Sequence, residues 1–180
     1  MYKFEMDSDF IKTITKALDT SSADAPVCPI LLGEPGIGKS SIVKALCEQN
    51  DWGFFELLCN QLGDRADLTG CRTVKTLVLD NDGKEQEVWK QVFFPHQSIQ
   101  DAITYANQHP DQRTILFLDE INRTTADITS AILSFPTART VGSYKFPDNI
   151  SFILAGNDKG NVVAIDSASI TRFICNCHER

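Results

Sequence analysis

No stretch of the 180-residue chain approaches the ~18 consecutive apolar residues that a membrane-spanning helix needs, so no span is expected. The N-terminus carries Lys3, Glu5, Asp7 and Asp9 and lacks the apolar core of a secretion signal. Positive charge is scarce: 17 Lys and Arg stand against 24 Asp and Glu, a formal charge of −7. That balance argues against a broad electrostatic footprint for duplex nucleic acid and leaves only a local patch open. Internal repeats and low-complexity tracts are missing as well. Paired zinc-ligand spacing is also lacking. Cys175-Asn176-Cys177-His178 is the one cluster with metal-ligand chemistry, and without a second pair no metal is expected there. Cys28, Cys47 and Cys59 fall at core-like positions, as small thiols do in a reducing compartment, so a cytoplasmic location is expected. What remains is a globular composition, 42% hydrophobic and 23% charged, at a length suited to a single domain over residues 1–180.

Against that background one segment stands out. Residues 33–40 read Gly-Glu-Pro-Gly-Ile-Gly-Lys-Ser, a complete G-x-x-x-x-G-K-[ST] phosphate-binding pattern. Gly33, Gly36 and Gly38 are expected to take positive φ, so that the backbone amides approach phosphates without a clashing Cβ. Glu34, Pro35 and Ile37 complete the loop, and Ser41 follows it at the start of a helix. Lys39 is expected to reach the β- and γ-phosphates of a nucleoside triphosphate, and the Ser40 hydroxyl to ligate Mg2+. The flanks suit the motif. Residues 27–32 form an apolar run fit for a buried parallel strand, and Ile42, Val43, Leu46 and Cys47 recur at helical spacing over 40–49.

The second half of the site lies about eighty residues on. Thr114-Ile115-Leu116-Phe117-Leu118 is a second buried strand, and it ends in Asp119-Glu120. A parallel strand delivers such carboxylates to the edge where α/β sheets bind ligands. Asp119 suits Mg2+, and Glu120 suits the water that attacks the γ-phosphate. Taken alone, an acidic strand end capping the next helix is the commoner explanation of such a pair; beside the 33–40 loop the hydrolytic reading is preferred. Residues 150–155 give a third strand, followed by Gly156-Asn157-Asp158. Asn157 there reads either as a γ-phosphate or water contact or as an ordinary turn residue.

The rest of the chain alternates helix and strand. Residues 9–18 form an amphipathic helix, 20–25 a polar connector and 53–58 a strand. Two β-rich runs, 74–79 and 88–94, flank the turn Asp80-Asn81-Asp82-Gly83 and read as a protruding hairpin. Ser98 is expected to cap a helix to about residue 107, and a further helix spans 124–135. The hairpin, with Lys75, Lys84, Trp89 and Lys90 exposed, serves either as a working surface or as a cover for a sheet edge. Arg123 faces either a subunit boundary or solvent, and Arg139 is assigned no catalytic role.

Residues 33–40, the string Phe117-Leu118-Asp119-Glu120-Ile121-Asn122-Arg123, and Arg172-Phe173 together resemble the MoxR-type branch of AAA+ ATPases. Asp67-Leu68-Thr69-Gly70 is similar to the segment before that branch's helix-2 insertion, and 142–147 to the hairpin that leads into its sensor-1 strand. The resemblance runs from the first helix to residue 177. It implies an α/β P-loop NTPase core, a parallel sheet flanked by helices with an inserted β-hairpin. It also implies that Asn157 holds the sensor-1 position and that Arg172 is an arginine finger. The family usually has Asp-Arg-Phe where this chain has Thr171-Arg172-Phe173. A finger acts on ATP bound to the neighbouring subunit, so a ring or partial ring of identical subunits is implied, with a protein partner. AAA+ proteins normally continue into a helical lid bearing a further arginine, whereas this sequence stops at Arg180. A core without a lid is expected to bind ATP weakly and turn over slowly. The expected activity is ATP hydrolysis driving remodelling or assembly. The rivals are a non-hydrolysing ATP-gated scaffold and a nucleic-acid-linked motor, the latter disfavoured by the acidic charge.

Overall fold

The computed structural model describes residues 9–21, 25–157 and 173–177. Along the chain run α1 (Asp9–Thr20), β1 (Cys28–Leu32), α2 (Lys39–Asn50), β2 (Gly53–Leu58), α3 (Arg65–Thr69), β3 (Cys71–Leu79) and β4 (Glu85–Phe93). There follow α4 (Gln97–Gln108), β5 (Thr114–Asp119), α5 (Ala126–Ala138), β6 (Thr140–Val141), β7 (Tyr144–Lys145), β8 (Ile150–Gly156) and β9 (Phe173–Cys177). The apolar runs became one five-stranded sheet in the order β2-β5-β8-β1-β9, and each pairing in it is parallel. Such strands read as continuous apolar segments because helices cover both faces.

Successive strand residues point to opposite faces, and the core divides accordingly. Ile30, Leu116, Leu118 and Leu154 pack with Ile99 and Ala102 of α4 and with Ile128, Ile132 and Phe135 of α5. On the other face Leu31, Ile115, Phe117 and Ile153 meet Ile11, Ile14 and Leu18 of α1 and Ile42, Val43 and Leu46 of α2. The chain leaves β1 for β2, across two intervening strands, and finally places β9 on the far side of β1. Strand order therefore reverses at β1. The crevice beyond the carboxyl end of such a strand is where α/β sheets take ligands.

Several boundaries differ from the sequence reading for physical reasons. Helix α5 runs through Pro136 to Ala138 instead of stopping at residue 135. A proline in the last turn sacrifices only one intrahelical hydrogen bond, and here its ring is buried. Arg139 then ends the helix in the left-handed conformation. Its Nη1 donates to Ile150 O at 2.8 Å, its Nη2 to Pro147 O, and its guanidinium lies 5.4 Å over the Phe152 ring. It ties the end of α5 to β8 and the segment before it. Ser98 is not the cap of α4. His96 is, its Nδ1 accepting from Ser98 N at 3.3 Å, because the helix starts at Gln97, earlier than a Ser98 cap would allow.

The hairpin of β3 and β4 pairs from Cys71↔Phe93 to Leu79↔Glu85, longer than its β-rich runs alone suggested. Leu77, Leu79 and Trp89 are exposed on it. Its base is fixed by Gly70, which ends α3 at φ 62° and donates to Ala66 O at 2.6 Å. Phe94 N donates back to Gly70 O at 3.0 Å. A Cβ at Gly70 would lie 1.5 Å from Phe94 O, so no side chain fits there.

Gly70→Ala is expected to destabilise the domain by about 2–5 kcal/mol, combining left-handed strain with overpacking. Urea unfolding measures this, and a variant within about 0.5 kcal/mol of wild type contradicts the account.

Candidate functional site

Residues 33–38 carry the chain from β1 into α2. Gly36 and Gly38 hold φ of 81° and 91°. Gly33 does not take positive φ, which corrects the expectation for all three glycines. It prolongs the sheet edge instead: its N–H donates to Gly156 O at 3.4 Å, and its carbonyl accepts from Lys39 Nζ at 3.0 Å. Lys39 Nζ also donates to Glu34 O at 3.1 Å, so the ammonium folds back over the loop. Glu34, Pro35, Gly36 and Ser41 are exposed, Ile37 is half-buried, and nothing lies within 4 Å of where a Gly36 Cβ would sit. Helix α2 starts with Gly38 as its N-cap, without a side-chain cap and without an acid in its first turn. Its first amides and the positive end of its dipole are thereby left for an external anion.

The strand β5 brings the carboxylates to this loop. Ser40 Oγ donates to Asp119 Oδ2 at 3.2 Å across 79 positions of sequence. A hydroxyl and a carboxylate meeting at the foot of a phosphate loop could share a divalent cation. Asp119 Oδ1 accepts from Glu120 N at 2.7 Å. Glu120 itself is left-handed, at φ 54° and ψ 37°. For a residue with a Cβ this conformation costs roughly 1–2 kcal/mol, and it turns the chain sharply at the strand tip. Both carboxylate oxygens are engaged: Oε2 accepts from Asn60 Nδ2, and Oε1 pairs with Arg123 Nη1 at 3.3 Å. Arg123 is thus tied to the second acid, one of the two surroundings left open for it being solvent, to which it is also partly exposed.

Asn157 follows the tip of β8, the strand between β5 and β1. It is 3% exposed, and its Nδ2 has no hydrogen-bond partner among the described residues. An orphaned buried donor is costly unless a ligand or water satisfies it. The uncapped helix, the loop and the Ser40–Asp119 contact form one set that fits a magnesium nucleotide, and Asn157 ends the strand between β1 and β5. Arg172 lies outside the described residues, as do the side chains of Cys175, Cys177 and His178. Among the described residues no group of three or more His, Cys, Asp or Glu could hold a metal.

Asn60 and Asn122 were missed by the sequence reading. Asn60 lies two residues beyond β2 and carries no motif; only the pairing of β2 with β5, Leu58 opposite Asp119, puts it beside Glu120. Asn122 was in view as part of the Asp119–Arg123 string but without a function.

A parallel sheet with a glycine loop at its switch point and an acid pair at the same edge, two strands away, defines the P-loop nucleotide-binding class. Within it, a model of the AAA domain (dynein-related subfamily) matches residues 29–173, and the chain belongs to that family. No curated protein matches the sequence. Among solved structures, a candidate ATPase from Cytophaga hutchinsonii is similar at 16% identity and a TM-score of 0.54, covering 94% of this chain and 51% of its own. A point variant of RuvB from Thermotoga maritima is similar at 14% identity and a TM-score of 0.53, covering 93% of this chain and 46% of its own. The chain spans about half the length of each, and the likeness is one of fold: the AAA+ core, a helix-flanked parallel sheet.

Cys59 is buried beside the acid pair. Burial pushes its thiol up to about 12 from 9.0, with the negative charges of Asp119 and Glu120 adding to the shift. A thiol whose proton is held more tightly in the folded chain stabilises fully below pH 9.0, and that contribution is lost as pH rises toward 12. The stability difference between wild type and Cys59→Ala is therefore expected to narrow from pH 9 to 11 in urea titrations. A difference that stays constant over that range contradicts the assignment.

Proposed function

We propose that the chain binds ATP with Mg2+ on the 33–40 loop and hydrolyses it, as the core of an oligomeric remodelling or assembly motor of MoxR-like type. The observation that carries this reading is the Ser40 Oγ to Asp119 Oδ2 contact at 3.2 Å, which joins the phosphate loop to the acid pair. Ser40 and Asp119 would hold Mg2+, whose charge offsets the negative charge on the transferring phosphoryl group. The amides of residues 36–41 and the N-terminus of α2 bind the phosphates, and Lys39 exchanges the carbonyls of Gly33 and Glu34 for them. Glu120 takes the proton of the attacking water once it leaves Asn60 and Arg123, and Asn157 Nδ2, without a partner among the described residues, orients that water.

Arg172 of a neighbouring subunit completes the site, which makes turnover depend on self-association in a ring or partial ring. A protein partner fits better than a nucleic acid, given the formal charge of −7. The buried thiols of Cys28, Cys47 and Cys59 support a reducing, cytoplasmic setting. One alternative has an observation in its favour: with both oxygens of Glu120 engaged, the resting chain suits an ATP-gated scaffold that binds without turnover.

ATP turnover per subunit, measured over a wide dilution series, separates these readings. It is expected to climb with concentration and to fall by about 100-fold or more in Glu120→Gln with nucleotide binding retained. Constant specific activity on dilution removes the neighbouring arginine from the mechanism. Undiminished turnover in Glu120→Gln removes the base, and binding without turnover at any concentration favours the scaffold.

A further inference from the structure

The tip of β8 extends past its ladder with β5 and ends level with the last pair of its ladder with β1. Pairing with β5 ends at Leu118↔Leu154, and pairing with β1 ends at Leu32↔Gly156. The backbone of Asn157 is therefore beyond either ladder, although it carries the orphaned Nδ2 of the site. One side chain takes over the pairing. Asn122 Oδ1 accepts from Asn157 N at 3.1 Å, and Asn122 Nδ2 donates to Asn157 O at 2.6 Å. A carboxamide that satisfies both the N–H and the C=O of one residue acts as a rung of an antiparallel ladder would. The two bonds also fix which end of the amide is oxygen, since the flipped group would face donor to donor and acceptor to acceptor.

Asn122 is 1% exposed and sits in the 3-10 turn Ile121–Arg123, directly after Glu120 and one residue on. That turn is anchored in its own right, because Thr129 Oγ1 of α5 donates to Ile121 O at 2.9 Å. Gly156 makes room for the carboxamide: a Cβ there would come within 3.0 Å of Asn122 Nδ2. The glycine, the buried amide and the anchored turn are thus parts of one joint between the acid-bearing segment and the Asn157 tip.

We propose that Asn122 is a positioning residue, which locks the backbone of Asn157 to the turn after Glu120. The water-activating carboxylate and the water-orienting amide are thereby held as one block. The inference rests on the hydrolytic reading of the site and adds to it. Asn122 touches no phosphate and takes no proton. It acts through Asn157 alone, so it governs turnover and leaves nucleotide affinity to the loop.

The test uses the full chain, with kcat, ATP affinity and amide hydrogen exchange measured for wild type, Asn122→Ala, Asn157→Ala and the double variant. Asn122→Ala is expected to lower kcat by about tenfold or more with ATP affinity within about threefold of wild type. The Asn157 amide should exchange about tenfold faster or more. Because one residue acts through the other, the double variant should be within about twofold of Asn157→Ala. Should Asn122→Ala fail to fold, Asn122→Asp keeps the acceptor and loses the donor, and Gly156→Ala displaces the amide. Both are expected to lower kcat in the same sense. Unchanged kcat in a variant whose Asn157 amide has been freed overturns the proposal, as does a loss that multiplies with that of Asn157→Ala. A wild-type chain with no turnover at any concentration fails the hydrolytic reading, and the positioning role falls with it; intact wild-type turnover with an indifferent Asn122 fails the positioning role alone.

Discussion

Parallel pairing of β1, β5 and β8 is the constraint on which the candidate site depends. Parallel strands all release their chain at the same edge, so the phosphate loop, the acid pair and Asn157 emerge side by side although they lie far apart in sequence. Register then sets which residues meet. Leu32 opposite Gly156 aligns the start of the loop with the tip of β8, and Gly33 N extends the alignment by its bond to Gly156 O. Helices on both faces keep the strands dry, and the polar chemistry is confined to that edge. A slip of one residue in any of the three strands would turn its edge residue to the opposite face.

Polar groups at this edge are held by one another as much as by the sheet. Asp119 joins Ser40 on one side and the amide of Glu120 on the other. Glu120 stays in a left-handed conformation while Asn60 and Arg123 bind its carboxylate. Asn122 takes the backbone of Asn157 and leaves its side-chain nitrogen without a partner among the described residues. What is satisfied internally stays fixed, and what is unsatisfied marks where a ligand and its water would be received.

Much of this was legible because it follows from local rules. The strand over 53–58 and those ending at Leu32 and Asp119 were written as short apolar runs bounded by polar residues, and the loop as a glycine pattern with a single chemical purpose. Less legible was whatever a neighbouring strand decides. Asn60 is an ordinary turn residue until β2 is laid beside β5, and Asn122 is one polar residue in a string until β8 is seen to run past its ladder with β5. Gly33 shows the reverse: a motif glycine that sequence assigns to a turn is needed at the sheet edge in extended company. At Pro136 the local rule was too strict, because burial on α5 outweighs one lost hydrogen bond in a last turn.

The central claim is that Ser40 and Asp119 meet because a magnesium nucleotide is received between the loop and β5. The most direct test is ATP binding to the chain with Mg2+ and with the metal chelated, in wild type and in Ser40→Ala. The account predicts that Mg2+ tightens binding about tenfold or more in wild type and that most of this gain is lost in Ser40→Ala. Equal affinity with and without Mg2+ in wild type, or an undiminished gain in the variant, would contradict it.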